Sequence, residues 1–207
     1  MMLHKIIWTQ FKLIIFFGLL LSAILLLGAP VFVGLKYLDE TASAVVLERY
    51  VSLVGIILVV PLFFPEQDKN ISEVIEAKYT SHNMIIFCRL VLSILIVFAL
   101  ISLMALIMYL GECSFPVGKY ILGTFVSALA LGSLGFAGAG ITNNIIAGYL
   151  VSVCYYILNM GLGKKLGNFY LFSMSRGSFD EKYYLLGAAL LIIVTTFVVI
   201  FINSKKR

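Results

Sequence analysis

The stretch FFPEQDKNISEVIEAKYTSHNMIIFCRL, Phe63 to Leu90, decides how the chain is organised. It places four of the ten acidic residues, Glu66, Asp68, Glu73 and Glu76, between two strongly apolar runs. Pro65 closes the run before it, and Asn70 followed three residues later by Glu73 has the spacing of an N-cap with a capping-box acid. The pattern predicts a short helix from about Ile71 to Tyr79. Ile71, Val74, Ile75 and Tyr79 fall on one face of it, and Glu73 and Glu76 lie off that stripe. A helix resting on anionic lipid enriches Lys and Arg on its polar face. This one offers mainly acids, so docking to a cytosolic partner is preferred over lying on the membrane surface.

The runs on either side set the class. The chain of 207 residues is 62% hydrophobic and 12% charged, where a soluble domain carries about 25% charged residues, and its mean hydropathy is +1.08. A hydrocarbon core needs about 20 apolar residues per helix. Six runs meet that length, at roughly 13–35, 45–64, 86–110, 120–141, 144–162 and 184–202. The expectation is an all-α, polytopic membrane protein: one transmembrane domain over 1–207, with six helices, an N-terminal amphipathic segment and no room for a separate soluble domain. The first apolar run, Leu13 to Leu35, is too long for a signal-peptide core and reads as a retained span. Cys88, Cys113 and Cys154 occur singly, without metal-ligand or disulfide spacing, and read as packing residues.

Lys and Arg divide almost evenly between the two sides, eight and seven of the fifteen. Basic residues flank the first and last spans on one side, so both termini are expected in the cytoplasm of a multi-pass protein of the cell membrane. Glu48 and Arg49 fall near the outer end of the second predicted span, where they can snorkel to the interface. Pro30, between Gly28 and Gly34, is expected to kink the first span. The small residues of Ser127 to Gly140, among them Gly132, Gly135 and Gly138, permit close helix packing. The segment from Gly163 to Tyr183 interleaves aromatics with charges, a mixture suited to the headgroup zone.

Little here suggests catalysis. His4 and His82 lie outside the spans, no residues have metal-ligand spacing, and Ser173, Ser175 and Ser178 lack an evident base. GLGKKLG, Gly161 to Gly167, has the wrong spacing for a phosphate loop and lacks its hydroxyl. No catalytic, cofactor-binding or metal residue is assigned, and no nucleic-acid partner is expected.

Three features together carry a resemblance. The entry segment MMLHKIIWTQFKL and the charged insert, with Glu66, Ile71, Glu73, Ile75, Ala77, Ser81, Ile85, Arg89 and Leu90, resemble the permease subunit of type-2 ABC transporters. The stretch SALALGSLGFAGAGITNNIIAGYLVSVCYYI, Ser127 to Ile157, is similar to that family's fourth and fifth spans. The resemblance implies that Ile71, Glu73, Val74, Ile75, Glu76 and Tyr79 form a coupling helix seated on a cytosolic ABC ATPase, which would hold the ATP and magnesium. It also implies pairing with a second permease copy or a paralogue, and short re-entrant helices between the last two spans, with Phe169, Tyr170 and Phe172 at an outer gate. An ordinary interfacial loop is the alternative for that segment. The function implied is a bacterial ATP-driven exporter of an amphipathic or hydrophobic cargo, such as a peptide. A substrate-capture subunit of a vitamin importer and a non-transporting immunity or scaffold protein are the alternatives.

Overall fold

The computed structural model describes residues 16–30, 34–66 and 82–204. Among them there are only helices and the turns between them. We number the helices α1 (Phe16–Pro30), α2 (Glu40–Phe64), α3 (His82–Leu110), α4 (Val117–Thr142), α5 (Ile145–Leu162) and α6 (Asp180–Ser204). Five of them, α2 to α6, are long and apolar enough to cross a membrane, and α1 is a shorter apolar helix over its described residues. The predicted N-terminal amphipathic segment and the Ile71–Tyr79 helix lie outside the described residues.

The connections at 34–39, 111–116 and 163–179 gather at one end of the bundle, here called the loop end. At the other end α4 turns directly into α5. Asn143 takes the left-handed conformation (φ 51°) that ends α4, and the Asn144 side chain accepts the Ile146 N–H at 2.9 Å to cap α5. Two adjacent asparagines suffice because one tolerates positive φ and the other replaces a missing helical acceptor.

α4 is the centre of the bundle and touches α2, α3, α5 and α6. Its composition explains this, since small side chains let neighbouring backbones approach where lipid supplies no hydrophobic drive for helices to associate. On one side a Cβ added to Gly55 of α2 would fall 2.1 Å from the Ala128 carbonyl oxygen of α4. On the other, a Cβ at Gly148 of α5 would fall 2.6 Å from the Gly135 carbonyl oxygen. Gly132 faces Val59 of α2 and Gly138 faces Gly148 of α5, so Gly132, Gly135 and Gly138 serve two different helix contacts. α5 and α6, by contrast, leave most of their apolar surface outside the protein, as helices bordering lipid do.

Pro30 is the last described residue of α1; its carbonyl accepts the Gly34 N–H at 3.1 Å, and Gly34 has φ 71°. The kink expected there would involve residues 31–33, which lie outside the described residues. One expectation is corrected. Glu48 does not snorkel. α2 begins at Glu40, five residues before the predicted span, so Glu48 lies more than a turn deeper and is 0% exposed.

Candidate functional site

The site grows from a local irregularity in α2. Its backbone is π-helical over Val46–Tyr50 and 3₁₀ over Val51–Leu53 before it returns to α-helix. Such wide turns are uncommon and collect at functional positions. The Ser52 hydroxyl donates to the Glu48 carbonyl, giving that group a partner where the helical ladder changes pitch. The turn sends Glu48 into the protein, while Arg49 beside it is exposed.

Glu48 meets Lys182 of α6, which is 3% exposed, with 2.7 Å between carboxylate oxygen and ammonium nitrogen. Every polar atom of the pair is used. Glu48 Oε1 also accepts the Met174 N–H at 2.9 Å and Oε2 accepts the Ser175 N–H at 3.0 Å. The Lys182 ammonium donates in addition to Ser127 Oγ of α4 at 2.6 Å and to the Leu171 carbonyl at 2.5 Å, completing its three donors. A buried pair is tolerable only with such full satisfaction, because desolvating two ions costs several kcal/mol each.

These bonds hold the segment between α5 and α6. Gly163–Phe169 and Met174–Arg176 are 3₁₀ turns, and Tyr170 to Met174 between and within them are buried. Irregular backbone at membrane depth has to find partners inside the protein; here some lie within the segment itself and others are side chains of neighbouring helices. Tyr155 donates to the Phe169 carbonyl at 2.6 Å, and Asn159 Oδ1 accepts the Leu171 N–H at 2.8 Å. The Ser127 hydroxyl lies 3.2 Å from the Leu171 carbonyl, and Glu48 takes the two amides beyond. The segment is thus folded back among α2, α4, α5 and α6. Asn159→Leu removes the acceptor of a buried amide and should lower stability by about 1–3 kcal/mol, measured by thermal unfolding in detergent.

The aromatic side chains form a continuous wall. Phe172 meets Tyr156 and Tyr170 edge to face, at ring-centre distances of 5.5 and 5.9 Å. The Arg49 guanidinium lies over Phe172 at 5.7 Å, and that of Arg176 over Tyr170 at 4.1 Å. Tyr156 also donates to the Arg49 carbonyl at 2.8 Å. Tyr170 and Phe172 are therefore core residues, whereas Phe169 is half exposed. Sequence reasoning missed the pairing of Glu48 with Lys182, 134 positions apart. The available signal was an acid inside an apolar run, which is costly and seldom incidental.

Ile71, Glu73, Val74, Ile75, Glu76 and Tyr79, the predicted docking helix, lie outside the described residues. Among the described residues no group of three His, Cys, Asp or Glu could hold a metal ion. The bundle and its folded-back segment define the class: the chain is a multi-pass helical membrane protein. No family model, curated protein or solved structure matches it.

Proposed function

We propose that the chain is the permease subunit of an ATP-driven type-2 ABC exporter, with α1 and its flanking residues as a sixth span. One observation carries this reading: the segment between the last two helices is folded back among the spans, where the resembled family places its re-entrant helices. On this reading the loop end faces outward, both termini and the Ile71–Tyr79 helix face the cytoplasm of a bacterium, and Phe169, Tyr170 and Phe172 border an outer gate. Two copies, or one with a paralogue, stand on two ATPase subunits that bind ATP and magnesium. The chain itself is not an enzyme. It converts closure of the ATPases into relative movement of the two permeases and passes an amphipathic or hydrophobic cargo between them.

Coupling supplies the test. The stripe of the Ile71–Tyr79 helix would anchor in an ATPase groove, with Glu73 and Glu76 at its rim, because buried anchors carry most interface energy and rim charges tune encounter. Replacing Val74 and Ile75 together by Asp should abolish co-purification with the candidate ABC ATPase, and lose the permease-dependent ATP hydrolysis in lipid, while membrane insertion is unchanged. Glu73→Lys should weaken the association mildly and in a salt-dependent way. Full association and turnover in the double variant would remove the coupling-helix reading.

A further inference from the structure

Arg49 presents a charge that no carboxylate among the described residues neutralises. It lies nine residues into α2, about 13 Å along the helix from Glu40 at a rise of about 1.5 Å per residue. α2 spans 25 residues, about 37 Å by the same rise, against a hydrocarbon thickness of about 30 Å. With α2 centred in the membrane, the base of the Arg49 side chain lies roughly 10 Å inside the loop-end boundary. The side chain is nevertheless exposed. Its guanidinium is directed at the buried Phe172 ring, and among the described residues it has no carboxylate partner. The neighbouring acid does not serve, because Glu48 is buried and turned toward Lys182 and the Met174 and Ser175 amides, away from exposed Arg49. Glu48 and Lys182 cancel, so among the described residues Arg49 keeps an unpaired charge, with exposed Arg176 over the adjoining Tyr170.

From this we infer that Arg49, with Arg176 and the Phe172–Tyr170 pair, binds the phosphate-like anionic headgroup of an amphipathic molecule. A guanidinium stacked on an aromatic face keeps its N–H edge free, and that planar fork matches phosphate or carboxylate in bidentate fashion. The ligand's apolar portion lies against the aromatic wall or the surrounding lipid. The anion is either the headgroup of a membrane phospholipid or that of a transported amphiphile. Only the second source rests on the exporter reading, where it narrows the cargo to anionic amphiphiles.

The full chain in phosphatidylcholine nanodiscs, titrated with dodecyl phosphate and with dodecyltrimethylammonium, tests this. Wild-type protein should bind dodecyl phosphate at least tenfold more tightly than Arg49→Gln does, and should show no saturable binding of the cation. Arg49→Lys, a point charge without the fork, should fall between them, and Arg176→Gln should lose a few-fold. If phosphatidylglycerol in the disc competes with dodecyl phosphate, the occupant is a lipid headgroup; if it does not, the site takes a separate amphiphile. Equal binding by Arg49→Gln, or equal binding of anion and cation, overturns the proposal. So does a shift of Arg49→Gln from dimer to monomer without any effect of dodecyl phosphate, which would make a second copy's carboxylate the partner. The Val74/Ile75 double variant should bind dodecyl phosphate like wild type, so loss of the ATPase partner and loss of the anion site are separate results.

Discussion

Lys182→Met should destabilise the loop end of the protein by about 3–5 kcal/mol, because it strands a carboxylate in the interior without its counter-charge. Glu48 would keep only the two amides of Met174 and Ser175, while Ser127 Oγ and the Leu171 carbonyl would lose their shared donor. Glu48→Gln should also be costly, since it strands the ammonium and turns an amide N–H toward the Met174 or Ser175 N–H. The combination Glu48→Gln with Lys182→Met removes both charges and should be no worse than the more harmful single change. Thermal unfolding of the four proteins in detergent gives the coupling between the two sites. In a background without native cysteines, Ser175→Cys should resist thiol labelling when the pair is intact and label readily when Lys182 is Met. Single variants as stable as wild type, with unaltered labelling, would show that the pair does not hold the segment.

The second large effect belongs to the helix crossing between α2 and α4. Gly55→Ala should cost at least the upper part of the roughly 1–3 kcal/mol usual for overpacking. The added Cβ meets the oxygen, carbon and Cα of Ala128 at 2.1, 2.7 and 2.9 Å, all backbone atoms, so no rotamer change relieves it. Gly135→Leu should disrupt the fold as severely, because its Cβ alone would come within 2.3 Å of Val60 Cγ2 and 2.5 Å of Ser152 Oγ. Gly118→Ala is the control: it lies in the same α4 helix with nothing within 4 Å of the added carbon. Monodispersity and thermal midpoint in detergent should fall for the first two variants and hold for the third. If Gly55→Ala behaves like Gly118→Ala, the two backbones do not cross as closely as the structure places them.

The membrane class, the helical content and the positions of α2 to α6 were legible in the chain, because sustained apolarity over about 20 residues leaves few other solutions. The break between α4 and α5 was legible as the gap between the runs 120–141 and 144–162, and the closeness of α4 to its neighbours as a run of small residues. Those are local properties, carried by residues a few positions apart. The boundary of α2 was less legible, since Thr41, Ser43 and Glu40 dilute the apolar signal although they continue the helix. That error of five residues moved Glu48 from the core to the membrane surface. Tertiary structure alone decided that Glu48 pairs with Lys182, that the 163–179 segment is folded in rather than lying at the headgroups, and that Arg49 has no carboxylate partner among the described residues. None of these is encoded at short range: the carboxylate, the ammonium and the amides of Met174 and Ser175 come from three parts of the chain, and burial becomes affordable for each only when all of them meet.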